Sequence, residues 1–178
     1  MLLLVTASVE IFGFSFATAL PELASTRLNL GADGLGYLHA ARAAGGIVAG
    51  LALTFMHNFE RRGIAYLGVV GGFGLGLLFL SVSDSLAITL LAVGMVAFIA
   101  AASDVLTQSM MQLSVANELR GRAMGVWVLA VGFGPVGHLE LGFLSVWLGL
   151  ATGLAVNGAV LVVIAVIVAL AMPKLRQL

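Results

Sequence analysis

Long apolar runs separated by short polar breaks dominate the pattern along this chain. The runs are continuously apolar and do not alternate with a period of two, which excludes a transmembrane β-barrel. Each run has roughly 19 to 26 residues, enough to cross ~30 Å of hydrocarbon as a tilted helix. The predicted spans are residues 2–23, 35–56, 64–82, 86–110, 122–147 and 148–171. The pattern predicts one all-α domain over residues 1–178, a bundle of about six transmembrane helices.

Composition agrees with a lipid environment. Hydrophobic residues make up 61% of the chain and charged residues 9%, whereas a soluble domain carries roughly 25% charged residues. The first apolar run starts without a positive charge and continues to Leu20 without a small-residue cleavage pattern, so we interpret it as a span and not as a signal peptide. The zero net charge gives no basic excess for nucleic acid, and the absence of cysteine excludes disulfides and thiolate chemistry.

The distribution of basic residues predicts the orientation. If the N-terminus is cytoplasmic, the outer loops carry only Arg27, and Arg42 lies within the second span. The inner segments carry the remaining basic residues, which are Arg61, Arg62, Arg120, Arg122, Lys174 and Arg176. This positive-inside bias predicts that both termini are cytoplasmic.

Glycines recur at four-residue spacing within the predicted spans. The pairs and the triplet are Gly46/Gly50, Gly68/Gly72/Gly76, Gly121/Gly125 and Gly149/Gly153. Small residues at this spacing let another helix backbone approach closely. The pattern indicates close packing within one bundle, with a face between two copies of the chain as the alternative.

Several strings resemble the major facilitator superfamily, most of all its enterobactin-exporter-like branch of drug and metabolite efflux carriers. Residues 117–125 (NELRGRAMG) and 132–138 (GFGPVGH) resemble the loop before the eleventh helix and that helix itself. Residues 10–15 (EIFGFS) resemble the seventh helix, and residues 30–38 (LGADGLGYL) the approach to the eighth. Residues 60–63 (ERRG) resemble the basic loop between the second and third helices of each half.

The resemblance covers essentially the whole chain and implies the C-terminal half of a twelve-helix carrier. It places a set of charged residues on cytoplasmic loops, namely Arg61, Arg62, Glu118, Arg120 and Arg122. It also implies substrate and proton sites between two halves, a partner half that is the N-terminal one or, as the alternative, a second copy, and a bacterial inner membrane as the location.

Ionisable side chains within lipid are costly, so each needs an explanation. Glu10 lies ~15 Å into the first span and Arg42 ~12 Å into the second span from the opposite side. Their similar depth predicts an ion pair, either a charge relay that faces a cavity or a static pair that holds two spans together. His39 shares a helix face with Arg42 and is interpreted as a proton-exchanging group or as a solvated group at the outer interface.

Two further polar clusters are candidates for a substrate or proton pathway. Asp104 and Gln108, with Gln112 one turn further, form a polar stripe on the fourth span, which indicates a water-filled vestibule or only a solvated helix end. On the fifth span, His138 and Glu140 point about 200° apart and cannot form one site, so one is expected to face the cavity and the other a neighbouring helix or the interface.

The middle of the fifth span combines Gly132, Gly134 and Gly137 with Pro135, which removes a helix hydrogen bond. We interpret this segment as a hinge or, alternatively, as a fixed kink that only packs.

The sequence favours a transporter over an enzyme. It has no phosphate-binding loop, no His-Glu-x-x-His and no Gly-x-Ser-x-Gly, and its three histidines are dispersed, so neither a metal nor a cofactor is expected. The leading hypothesis is proton-coupled efflux of a small amphipathic molecule by alternating access. The alternative is an orphan half-transporter that acts only as a structural or interaction protein in the membrane.

Overall fold

The computed structural model describes residues 2–55, 62–113 and 115–171, and within these ranges six helices are long and apolar enough to cross a membrane. These first to sixth spans are Leu3–Arg27, Gly31–Phe55, Gly63–Ser81, Leu86–Leu113, Asn117–Leu148 and Leu150–Ala171. The predicted all-α class and number of spans are confirmed. No strand occurs in the described part of the chain.

The first span is the central helix of the bundle. It contacts the second, third, fifth and sixth spans, while the third span also packs against the fourth and sixth, and the second against the fourth. Phe14 and Phe16 of the first span each meet the ring of Phe73 edge to face, at centroid distances of 5.6 and 6.3 Å. These rings form part of the buried core where the first span meets the third.

Connections at residues 28–30, at residues 82–85 and at Gly149 lie at one end of the bundle, hereafter the Arg27 end. There Arg27 Nη2 lies 2.9 Å from Asp84 Oδ1, and Arg27 Nη1 donates a 2.7 Å hydrogen bond to the Ser81 carbonyl. This contact ties the first span to the turn between the third and fourth. The opposite end, which carries residues 115–119, is hereafter the Asn117 end.

The first span is not a regular α-helix. It is α-helical over Leu2–Ser8 and Leu20–Glu22, π-helical over Val9–Gly13 and Leu23–Arg27, and a tighter 3-10 helix over Phe14–Ala19. Pro21 lies in the first turn of its α-helical segment, where the missing N–H is not needed. The span therefore passes through Pro21 to Arg27, beyond the end that the sequence predicted at residue 23.

The close backbone contacts use glycines other than most of those in the predicted pairs. A Cβ on Gly46, Gly50, Gly68, Gly121, Gly125 or Gly149 would meet none of the described atoms within 4 Å. Instead, Gly45 lies against the carbonyl of Gly94, and Gly74 against that of Gly158. Spacing identifies a strip of small residues, but neighbouring residues on a helix point about 100° apart, so it does not fix which glycine faces the partner helix.

Candidate functional site

Glu10 lies on the π-helical turn of the first span and is 5% exposed. Its Oε2 atom lies 3.9 Å from the position that a Cβ on Gly134 of the fifth span would take. The charge of Asp104 on the fourth span acts on Glu10 electrostatically. Wide π turns shift side chains out of the regular helical register and are frequent at functional sites. The turn thus directs a buried carboxyl toward the fifth span and within range of Asp104.

Asp104 and Arg42 line one small cavity in the bundle. The cavity has a volume of about 190 Å³ and is lined by Phe14, Phe16, Arg42, Gly46, Ala97, Ala100, Ala101 and Asp104. Its lining comes from the first, second and fourth spans, and it combines one acid, one base and two aromatic rings. Asp104 is thus a cavity residue and not merely a solvated helix end.

The predicted Glu10–Arg42 ion pair is not formed. Arg27–Asp84 is the one salt bridge among the residues that the structure describes. The Arg42 guanidinium lies over the ring of Phe16, 5.6 Å from its centroid, which is a cation–π geometry. Equal depth in the membrane did not bring the two groups together because depth says nothing about the direction in which a side chain leaves its helix.

A second polar cluster joins the first, fifth and sixth spans. The Asn157 Nδ2 atom donates hydrogen bonds of 3.1 Å to Ser15 Oγ and of 3.1 Å to Glu140 Oε2. Ser15 and Asn157 are completely buried, and within the described ranges the Asn157 Oδ1 atom has no hydrogen-bond partner. Glu140 therefore faces a neighbouring helix, as the sequence expected for one member of the His138/Glu140 pair, and His138 is exposed.

The remaining pathway candidates are dispersed. His39 is exposed on the second span, and Gln108 is half-buried one turn beyond Asp104. Gln112 is exposed, and its carbonyl accepts a 3.2 Å hydrogen bond from Arg120 Nε. The predicted stripe thus divides into a half-buried part, with Asp104 and Gln108, and a solvent-facing end at Gln112.

The residues assigned to cytoplasmic loops are exposed wherever their side chains are described, which is the case for Glu118, Arg120 and Arg122. Arg61 lies outside the described residues, and the side chain of Arg62 is not described.

The fifth span consists of two helices. The first, Arg120–Val131, ends at Gly132, and the second, Gly134–Leu148, has Pro135 in its first turn. Proline is favoured there because its fixed φ fits the helix and the absent N–H is not needed. Gly137 lies directly on the carbonyl of Ile11. The predicted irregularity thus lies at Gly132–Phe133, and Pro135 begins a helix where the sequence predicted that it interrupts one.

Sequence reasoning missed Asn157, Ser15 and Tyr66. Tyr66 is completely buried in the third span, and the charges of Glu10 and Asp104 both act on it. Asn157 had a usable signal, since it is the one amide side chain among the apolar residues of Leu150–Ala171. Among the described residues no group of three His, Cys, Asp or Glu side chains could hold a metal ion.

Six apolar helices around the buried carboxyl group of Glu10 have the character of an integral membrane protein. No family model, no curated protein and no solved structure matches the chain.

Proposed function

We propose that the chain is one six-helix half of a major-facilitator-type carrier that exports a small amphipathic molecule in exchange for protons by alternating access. The observation that carries the proposal is the placement of a buried Glu10 and a half-buried Asp104 on two different spans, within electrostatic range of each other. A charged carboxyl group at the centre of a membrane span costs roughly 2.5–3.5 kcal/mol on insertion scales, and such groups are typical of ion and proton pathways.

The arrangement suits reversible protonation. A carboxylate held in a fixed ion pair stays charged, whereas Glu10 has no salt-bridge partner among the described residues. Two like charges within range repel, so uptake of a proton by either group relieves the repulsion. Arg42 shares a cavity with Asp104 but lies over Phe16, so a substrate that displaces the guanidinium also changes the field at Asp104.

A second unit completes the site in this proposal. The 190 Å³ cavity is smaller than the roughly 300–1,000 Å³ of typical ligand sites, so the substrate needs a second surface. That surface belongs to a second six-helix unit, which is an N-terminal half or, as the alternative, a second copy of this chain. The bundle is located in a bacterial inner membrane with both termini cytoplasmic, and it rocks against its partner around the shared site.

The test is transport by the assembled carrier, meaning the chain with its second unit, in inside-out vesicles. Ethidium serves as an amphipathic fluorescent probe, and an imposed pH gradient drives its uptake. Glu10→Gln and Asp104→Asn should abolish driven uptake and retain ethidium binding, while Glu118→Gln, which alters an exposed carboxylate at the Asn117 end, should behave like the unaltered chain. Driven uptake that survives both Glu10→Gln and Asp104→Asn would contradict the proposal and favour an orphan, structural half.

A further inference from the structure

A series of polar groups lies along the contact between the first and fifth spans. This seam, defined as Glu10–Glu22 against Gly134–Ser145, begins where Glu10 Oε2 lies beside Gly134. One turn further Gly137 lies on the Ile11 carbonyl, so the two backbones are in contact there. The seam therefore starts at one of the carboxyl groups of the proposed proton site.

Glu140 lies in the middle of the seam. It accepts a hydrogen bond from Asn157, which also donates to Ser15, and the Ser15 hydroxyl donates to the Phe12 carbonyl at 3.2 Å. Three spans thus contribute to the surroundings of one carboxylate that the Glu10 and Asp104 site does not use.

The seam ends in a cavity toward the Arg27 end. This cavity has a volume of about 290 Å³ and is lined by Thr18, Ala19, Glu22, Leu141, Gly142, Ser145 and Val146. Leu141, which lines the cavity, directly follows Glu140 in the fifth span. Glu22 is half-buried in its wall, and Thr18 continues the polar series with a 2.7 Å hydrogen bond to the Ser15 carbonyl. The cavity is large enough to hold water.

We propose that Glu140 is a second proton-carrying residue, which takes up the coupling proton from the cavity beside Glu22 and passes it to Glu10, with Ser15 and Asn157 as its positioning residues. This inference rests on the proposed function, because it supplies the route between the buried proton site and the Arg27 end. In the first step an O–H bond of a protonated water in the cavity breaks and one forms on the Glu140 carboxylate. In the second step the O–H bond of the Glu140 carboxyl breaks and one forms on the Glu10 carboxylate.

The distances require water or motion between the carriers. Along the first span, Glu10 and Ser15 are five residues apart and Ser15 and Glu22 seven, which corresponds to roughly 7–10 Å for each step. A bridging water is nearly as good a hydrogen-bond partner as a direct contact. The break at Gly132–Phe133 lies next to Glu10, so movement of Gly134–Leu148 against Arg120–Val131 would open and close the second step, from Glu140 to Glu10.

Charges around Glu140 are few, which suits a carrier. The first span presents Glu10 on one side and Glu22 on the other, and the sixth span, Leu150–Ala171, contains no titratable residue. His138 on the same helix is exposed. No fixed cation among the described residues therefore holds Glu140 in its charged form.

The Asn157 amide can partner both forms of Glu140. In the present geometry Nδ2 donates to a carboxylate oxygen, as the charged form requires. A protonated Glu140 needs an acceptor for its O–H, and rotation of the amide presents Oδ1, the buried acceptor that has no partner among the described atoms. The proposal thus accounts for a buried polar atom that would otherwise cost about 1–3 kcal/mol without a role.

The experiment compares variants of the assembled carrier by proton-driven ethidium uptake in inside-out vesicles, with ethidium binding measured in parallel. Glu140→Gln should reduce driven uptake by about tenfold or more. The loss should stay below the roughly hundredfold that a positioned acid–base group contributes, because water can partly replace Glu140. Glu140→Asp should restore part of the activity. Ser15→Ala, which removes one buried oxygen without adding volume, should shift the pH profile of uptake, and His138→Gln on the exposed face should have no effect.

A readout that needs no transport is pH-difference infrared spectroscopy of the reconstituted chain. The carboxyl C=O band of protonated Glu140 should disappear in Glu140→Gln and move in Ser15→Ala. If Glu140→Gln does not fold, Glu140→Asp and Ser15→Ala carry the same test. The route alone would be overturned if uptake were lost in Glu10→Gln but unchanged in Glu140→Gln. Where Glu140→Gln does not fold, an unshifted pH profile of uptake and an unshifted carboxyl band in Ser15→Ala would overturn it. Uptake unchanged in Glu10→Gln and Asp104→Asn would overturn the proposed function itself.

Discussion

Gly74 of the third span and Gly158 of the sixth pack backbone to backbone. A Cβ on Gly74 would lie 2.5 Å from the Gly158 carbonyl oxygen, and a Cβ on Gly158 would lie 2.6 Å from that of Gly74. The contact is reciprocal, and both atoms in the way are main-chain atoms that cannot turn aside. Such close approach lets van der Waals packing hold helices together in a solvent as apolar as their own side chains.

We expect Gly74→Ala to lower the free energy of unfolding in detergent by about 1–3 kcal/mol, the usual cost of overpacking a tight contact. The matched control is Gly68→Ala on the same span, where an added Cβ meets none of the described atoms within 4 Å. This control should be neutral or stabilising by up to about 1 kcal/mol, because alanine favours helix over glycine. Equal thermal unfolding of the two variants would contradict the third-to-sixth span packing.

A double-mutant cycle separates the two possible partners of Arg42. Because its guanidinium lies over Phe16, Arg42→Gln and Phe16→Leu should show a coupling energy of about 0.5–2 kcal/mol in thermal unfolding. Glu10→Gln and Arg42→Gln should be additive within about 0.5 kcal/mol, as expected for groups that share no contact. Strong coupling between Glu10→Gln and Arg42→Gln would instead support the ion pair that the sequence predicted.

The break in the fifth span is tested with Pro135→Ala. Alanine supplies a backbone N–H that can donate toward Val131, and so favours one continuous helix. The hinge hypothesis predicts that driven ethidium uptake falls roughly tenfold, or about 1.4 kcal/mol, while ethidium binding is retained. Val136→Ala is the matched control, since the Val136 amide already donates to the Phe133 carbonyl at 3.0 Å. Unchanged uptake in Pro135→Ala would leave the segment as a fixed kink.

Reporter fusions test the orientation predicted from the basic residues. Fusions after Leu30, Glu60, Ser85, Glu118 and Leu178 should report outside, inside, outside, inside and inside, because Lys and Arg are retained on the cytoplasmic side. A periplasmic signal after Glu118 would contradict the positive-inside assignment and the order of the fourth and fifth spans.

The sequence by itself determined the class of protein and the number of helices. Continuous apolar runs can satisfy their backbone polar groups in lipid only as helices, so six runs of sufficient length predict six spans without any tertiary information. The same local physics located the irregular point of the fifth span, because Gly132, Gly134 and Pro135 weaken a helix wherever they occur. It also selected Glu10 and Asp104, since charged residues inside apolar runs are conspicuous.

Tertiary structure decided which of these groups meet. The irregular turns of the first span set the direction of the Glu10 side chain, so that it faces Gly134 and lies within electrostatic range of Asp104. The Arg42 guanidinium, at a similar depth, lies over the Phe16 ring and not beside Glu10. The close backbone contacts are made by Gly45, next to the predicted Gly46, and by Gly74, between the predicted Gly72 and Gly76. Asn157 hydrogen-bonds Ser15, 142 residues away in the chain, and Glu140, 17 residues away. Depth and periodicity are local properties that a sequence displays, whereas the rotation of each helix about its axis is set by how all six spans pack together.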